Sequence, residues 1–117
     1  MDFKLKWRRN SVDDGSIVSY YLTRCNIVFG CIKVINITKN FHANGSDTRF
    51  DAEWYDAFYR EGAKERAIAA TDKTLKFIIS RIEQQAKLYL EMLCLHSESS
   101  VTVNCADRET IELPELG

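Results

Sequence analysis

Cysteine is the residue type whose chemistry would say most about this chain, which has four of them. Cys25 and Cys31 bracket an apolar run; on one continuous strand their thiols would lie about 20 Å apart, and only a turn at Cys25–Asn26 would let them form a disulfide. A zinc clip would need a second pair at a matching spacing, which Cys94, His96 and Cys105 do not supply. Because free cysteine is among the most buried residue types, we expect thiols that fill the core and bind no metal.

His96 stands beside serines and Glu98, an arrangement in which a Ser-His-Glu hydrolase can be imagined. Such triads are assembled in space from separate elements around an oxyanion hole, and no Gly-x-Ser-x-Gly elbow occurs in the sequence. A polar loop after a helix explains these residues more simply, since histidine is favourable near a helix C-terminus. The sequence also has no Gly-x-Gly-x-x-Gly motif and no P-loop for a nucleotide. It therefore predicts a protein that is not an enzyme and has no cofactor.

Acidic and aromatic residues interleave between positions 51 and 61. The acids Asp51, Glu53, Asp56 and Glu61 could bind Mg²⁺ or act as an acid and a base, but their spacing matches no EF-hand loop, and a solvated face is the simpler interpretation. Aromatic side chains among acids are typical of protein-binding epitopes, because aromatic anchors dominate interface energetics. For Trp54 and Phe58, burial in the core is the alternative. The residues predicted to bind a protein partner are Glu53, Trp54, Tyr55, Asp56 and Tyr59.

A basic segment at the start of the chain supports an alternative function, nucleic-acid binding. Lys4, Lys6, Arg8 and Arg9 surround Trp7, so cations able to contact phosphates accompany a ring able to stack on a base. Residues 1–50 carry a net charge of +4 and residues 51–117 one of −5, which leaves the whole chain at −1. Because no RNP-like or helix-turn-helix pattern is present, direct nucleic-acid contact ranks below protein contact.

Composition is typical of a small single-domain protein. The chain has 117 residues, of which 45% are hydrophobic, enough for one core and one domain over residues 1–117. Its first residues are charged where a secretory signal would be apolar, and no apolar run approaches the ~18 residues that cross a membrane. We therefore expect a cytoplasmic protein with reduced thiols and no membrane contact.

The elements that would position these residues begin with strands. Alternating apolar and polar residues predict a strand at Lys4–Arg8, and β-branched and aromatic residues predict another at Ile17–Arg24. Asparagine tolerates positive φ, which favours a tight reversal at Cys25–Asn26. Two further strands are predicted: a central one at Ile27–Ile37 and a short edge strand at Phe41–Ala43 that ends at the turn dipeptide Asn44–Gly45.

Helical spacing appears after position 50. The stretch from Asp51 suits a helix, although Phe50, Ala52 and Trp54 also alternate, so a strand is the alternative there. The clearest element is an amphipathic helix from Asp72 to Leu93, in which apolar residues recur at steps of three and four.

The end of the chain returns to alternation, at Val101, Val103 and Cys105 and again at Ile111 and Leu113, which predicts a C-terminal hairpin. The order of elements predicts an α+β fold: an antiparallel β-sheet, made of a β-meander plus the C-terminal hairpin, packed against one or two α-helices. Helices on one side leave the other sheet face free, and an exposed aromatic patch there is typical of a binding surface or a homodimer interface. Depending on register, the aromatic residues of that face are Tyr20, Tyr21 or Phe29.

The basic strand Phe3–Trp7, the strands that follow as far as Asn36 and the helix from Asp72 to Leu93 resemble many small bacteriophage and prophage accessory proteins. Within that class, small proteins such as the anti-CRISPR proteins bind a host defence complex and block it. The resemblance implies a phage-type inhibitor that acts stoichiometrically by occupying a protein surface, with a host nucleoprotein defence complex as its partner in the host-cell cytoplasm. It covers most of the chain but includes no active-site motif, so it assigns no site residues.

Overall fold

The computed structural model describes residues 1–11, 18–59, 65–69, 72–95 and 100–112. These residues form a curled sheet of six strands and one α-helix. Across the sheet the strand order is β5-β4-β3-β2-β1-β6, and every neighbouring pair is antiparallel except β1 and β6, which are parallel. The elements are β1 (Asp2–Ser11), β2 (Val18–Arg24), β3 (Ile27–His42), β4 (Gly45–Tyr55), β5 (Glu65–Ala69), α1 (Asp72–Leu93), β6 (Thr102–Ala106) and a 3-10 helix (Arg108–Thr110).

The α+β class and the meander of the first strands are confirmed. β1, β2 and β3 contain most of the three predicted strands, and β3 lies between β2 and β4 inside the sheet. The helix is confirmed over Asp72–Leu93. Regular alternation and a sustained helical period were therefore reliable guides to these elements.

The helix predicted from Asp51 is wrong, because β4 continues to Tyr55. Phe50, Ala52 and Trp54 are buried on one face of β4, as the strand alternative requires. β4 pairs with β3 on one side and with β5 on the other. Two ladders of backbone hydrogen bonds outweigh the helical spacing of the side chains in this stretch.

Two predicted strand arrangements are also wrong. Phe41 does not begin an edge strand of its own, because β3 continues to His42 and pairs with β4 from Cys31 to His42. In place of the C-terminal hairpin the chain forms β6, which pairs in parallel with β1, and then a 3-10 helix. Asp107, with φ of 60°, turns the chain away from the sheet after β6. Leu113 lies outside the described residues, as do Val12 to Gly15, Glu61, His96 and Glu98.

The core lies between α1 and the sheet face that this helix covers. Gly30 of β3 permits the close approach, because a Cβ atom there would lie 2.2 Å from Cγ2 of Ile82. A methyl group at that distance would overlap the helix side chain, so glycine sets the helix-to-sheet separation. The fully buried side chains on the sheet side include Leu5, Trp7, Val18, Tyr20, Leu22, Ile32 and Val34, and those on α1 include Ile78 and Ile82.

Two tight turns shape the meander. Between β2 and β3 the chain reverses at Cys25–Asn26 as predicted, but the positive φ, 54°, belongs to Cys25. Between β3 and β4 it reverses after His42, which pairs with Gly45, and Gly45 has a φ of 136° that glycine adopts readily. β2 pairs with β3 only as far as Val34, so residues 36–49 form a projecting arm. Its exposed aromatic residue is Phe41, at 79%.

Candidate binding surface on the sheet face opposite the helix

The sheet face opposite α1 carries a row of four side chains from four neighbouring strands. Arg8 of β1 pairs with Tyr21 of β2, which pairs with Cys31 of β3, which pairs with Tyr55 of β4. Paired residues share a face, and the row spans about 14 Å at the usual strand spacing. Residues next to the row, such as Trp7, are buried against the helix, so the row faces away from it. We call Arg8, Tyr21, Cys31, Tyr55 and Tyr59 the open face.

Tyr59 joins this surface through a turn that follows β4. The Asp56 carboxylate accepts a hydrogen bond from the backbone N–H of Phe58 at 2.9 Å, and the Asp56 carbonyl accepts one from Tyr59 N–H at 3.0 Å. This side-chain-capped turn folds the chain back. The rings of Tyr55 and Tyr59 then lie 4.5 Å apart between centroids, at 35° to each other. Two tyrosine rings therefore form one continuous aromatic platform.

The Tyr55 hydroxyl is held in its neutral form. Burial, together with the neighbouring Cys31 thiol and its hydrogen bond, raises the pKa of Tyr55 to about 12. The hydroxyl therefore stays protonated and uncharged far above neutral pH. A neutral tyrosine at a half-buried position can contribute apolar area and one hydrogen bond to a partner.

Polar residues border the aromatic row on one side. Asn10, Ser19, Lys33 and Glu53 form the next paired row across β1 to β4. Lys33 is exposed and Glu53 is half-buried. The border thus has a cation and an anion on adjacent strands, which gives the surface both signs of charge.

The basic residues of β1 divide between the two faces. Lys4, Lys6 and Arg8 alternate with the buried Leu5 and Trp7, so the three cations line the edge of the open face. The Lys6 ammonium lies 3.4 Å from Asp107, both side chains being about half exposed, and such a surface pair is worth roughly 0–1 kcal/mol. Arg9 is exposed on the other face, where it pairs with Tyr20 across the sheet.

The predicted protein-binding residues also lie on both faces of the sheet. Glu53 and Tyr55 point to the side opposite the helix, and Asp56 and Tyr59 follow in the turn beside them. Trp54 lies on the covered face with only 7% of its surface exposed. The alternative for this residue, burial in the core, is therefore confirmed. Phe58 is 40% exposed, with its ring edge-on to Tyr89 of α1 at 5.6 Å.

Reasoning from sequence missed the proximity of Arg8 and Tyr21 to Tyr55. Arg8 and Tyr21 precede Tyr55 by 47 and 34 residues along the chain, and only the strand pairing brings them together. The sequence signal that could have found this proximity is the alternation of faces along each strand. Arg8 follows the buried Trp7, and Tyr21 lies between the buried Tyr20 and Leu22. Residues of that parity on neighbouring strands share the face opposite α1.

A second cluster, on the covered side, is structural. The buried Glu83 carboxylate of α1 accepts a hydrogen bond from Nε1 of Trp7 at 3.4 Å and one from Nε of Arg108 at 2.8 Å, and Nη2 of Arg108 also contacts it. Burial and a hydrogen bond to Glu83 raise the pKa of Cys105 to about 12, so this thiol stays protonated. A protonated thiol is a poor nucleophile. The cluster ties β1, α1 and the C-terminal segment together.

The expectation that the cysteines fill the core is confirmed for some of them and wrong for others. All four are free. Cys31 is buried, but between the open-face tyrosines of its two neighbouring strands. Cys25 is exposed in its turn, which contradicts core burial there, because a two-residue reversal leaves its side chain outside the sheet. Within the described ranges, no three His, Cys, Asp or Glu side chains are grouped as a metal site.

Within the described residues, no helix combines the length and the apolar character needed to cross a membrane. Comparison of the chain with protein-family models, with curated proteins and with solved structures found no match in any of the three.

Proposed function

We propose that this chain is a non-catalytic protein-binding module that holds its partner on the open face. The observation that carries the proposal is the row from Arg8 through Tyr21 and Cys31 to Tyr55, continued by the stacked Tyr59, on the side of the sheet opposite α1. Tyrosine and arginine are the residue types most enriched at the energetic centres of protein interfaces. Placed on a rigid sheet, they lose little conformational freedom when a partner binds.

The charges around the row support a protein partner over a polyanion. Lys4, Lys6 and Arg8 lie on β1, whereas Glu53 lies near the end of β4 and Asp56 directly after it. A surface with opposite charges at its two ends orients a partner of mixed charge, because each end repels the wrong sign. A phosphate backbone would meet carboxylates as well as cations on this surface.

The resemblance to small phage accessory proteins extends the proposal to a class of partner. In this proposal the chain acts in the host-cell cytoplasm. There it binds a nucleoprotein defence complex of the kind that anti-CRISPR proteins bind, and blocks it stoichiometrically. A small rigid surface without catalytic machinery suits such an inhibitor, because occupation alone accounts for its effect.

A pull-down from bacterial lysate tests the proposal. Tagged protein is incubated with lysate with and without nuclease, and the bound material is analysed by mass spectrometry and for nucleic acid. We expect a stoichiometric protein that survives nuclease and is lost with the double variant Tyr21→Ala/Tyr55→Ala. The variant Phe41→Ala, which removes an exposed ring of the arm, is the matched control and should retain the partner. Retention by the double variant would contradict the proposal.

Nucleic-acid binding is the second candidate, favoured by the three cations at alternate positions of one strand. It predicts that affinity for a DNA or RNA oligonucleotide falls steeply with salt. For three phosphate contacts, the variant Lys4→Ala/Lys6→Ala/Arg8→Ala should reduce the slope of log K against log salt by about two to three. Arg9→Ala, on the other face, should have less effect than any of the three. An unchanged slope would exclude this candidate.

A further inference from the structure

The outward side of α1 carries a stripe that repeats at steps of four and three residues. On the helix it consists of Phe77, Arg81, Gln84, Leu88 and Glu91, and Leu95 continues it in the turn that follows the helix. Three of these are large apolar side chains with high exposure, Phe77 at 64%, Leu88 at 48% and Leu95 at 73%. The buried residues of the helix, such as Ile78, Ile82 and Ala86, lie on its other side. Steps of four and three are the spacing of a coiled-coil seam.

The stripe is complementary to itself when reversed. About a two-fold axis at position 86, an antiparallel second copy places Phe77 opposite Leu95, Arg81 opposite Glu91, and Gln84 opposite Leu88. Each of these layers occurs twice by symmetry, as an isologous interface requires. The apolar residues at the two ends meet each other, and the cation meets the anion. If the reversed stripe placed Arg81 opposite another cation, the two charges would repel each other and the stripe would not be complementary to itself.

We infer that a second copy of this chain binds along the outward stripe of α1 to form an antiparallel helix-paired homodimer. The inference goes beyond the proposed function and does not depend on it, because α1 and the open face lie on opposite sides of the sheet. Dimerisation therefore leaves both open faces free and directs them away from each other. A contact along one helix lies at the weak end of specific interfaces, so association is concentration-dependent.

Sedimentation equilibrium of the full chain, from low micromolar to near-millimolar concentration, tests the inference. We expect the average mass to rise from that of one 13.5 kDa chain toward twice that value. Leu88→Ser, which changes two symmetry-related layers, should weaken self-association by about tenfold or more. Phe41→Ser is the matched control, since Phe41 is an exposed ring on the arm, and it should leave self-association unchanged. Circular dichroism checks that both variants keep the helix.

A charge swap distinguishes this pairing from any other use of the stripe. Arg81→Glu and Glu91→Arg should each weaken self-association, because each places like charges opposite each other, whereas Arg81→Glu/Glu91→Arg should restore it. The two residues are ten positions apart on one helix and do not meet within a chain. A monomer at every concentration, a double variant as weak as the single ones, or loss of association in Phe41→Ser would overturn the inference.

Discussion

Neighbouring residues of β1 and β2 differ completely in environment according to the sheet face on which they lie. Trp7 is fully buried against α1 and Arg8 is exposed; Tyr20 is fully buried and Tyr21 is only partly covered. The covered face meets a complement supplied by its own chain, the apolar side of α1. The open face has the same kind of aromatic residues, and no helix of the described residues packs on it. Residue type thus says less about the environment of a side chain in this sheet than its parity along the strand.

The largest expected effect comes from removing the indole of the covered face. Trp7→Ala should lower the free energy of unfolding by about 3–5 kcal/mol, because it leaves a cavity and removes a partner of Glu83. Arg8→Ala, one position away, should change it by less than about 0.5 kcal/mol. Urea denaturation of both variants measures the difference. Similar losses for the two would mean that the faces are not distinct.

A smaller effect is expected where the helix approaches the sheet. Gly30→Ala should cost about 1–3 kcal/mol, because the new methyl group overlaps Cγ2 of Ile82. In an Ile82→Ala background that carbon is absent, so the same change at Gly30 should cost less. A double-mutant cycle by urea denaturation measures the coupling. Equal costs in the two backgrounds would contradict the contact.

A pH-dependent loss is expected from the thiol beneath the C-terminal segment. The pKa of Cys105 is raised from 9.0 to about 12, so folding favours the protonated thiol. Its stabilising contribution is complete below pH 9 and is lost as pH rises toward 12. Cys105→Ala should therefore reduce the fall in unfolding free energy between pH 8 and the alkaline range. A fall as steep as in the unmodified chain would rule out this assignment.

The smallest expected effect is on the open face itself and concerns ionisation only. Because the pKa of Tyr55 is raised to about 12, it should ionise at higher pH than an unperturbed tyrosine. Tyrosinate absorbance, followed during an alkaline titration, should lose a high-pH step in Tyr55→Phe. The control is Tyr59→Phe, which removes the stacked neighbour and should leave that step in place. If the high-pH step were lost in Tyr59→Phe and kept in Tyr55→Phe, the step would belong to Tyr59 and the raised pKa of Tyr55 would be contradicted.

Much of the fold could be predicted because its signals are local. The steps of three and four in α1 and the alternation in β1 fix which side of each element is buried. The C-terminal hairpin could not be predicted correctly, because an alternating strand such as Val103 to Cys105 fits a parallel partner as well as an antiparallel one. At Asp51 the two periods compete in one stretch, and only tertiary pairing decides between them.

The candidate site depended on register, which the sequence leaves open. A bulge between Leu22 and Thr23 places Leu22 opposite Gly30 and Thr23 opposite Val28, so that Phe29 is the extra residue. Without this bulge, Tyr20 would lie opposite Cys31, and Tyr21 would lose its place in the row. A shift of one residue moves every side chain to the other face. The residue types of the site could be recognised in advance, but not their assembly.

The most direct test of the open face as the binding surface is the affinity of the partner recovered by pull-down, measured by calorimetry for four proteins. These are the unmodified chain, Tyr21→Ala, Tyr55→Ala and Phe41→Ala. We predict that each open-face substitution weakens binding by about tenfold or more, as expected for an interfacial aromatic anchor, while Phe41→Ala leaves it unchanged. If the two tyrosine variants bind as tightly as the unmodified chain, the partner is held elsewhere and the central claim is wrong.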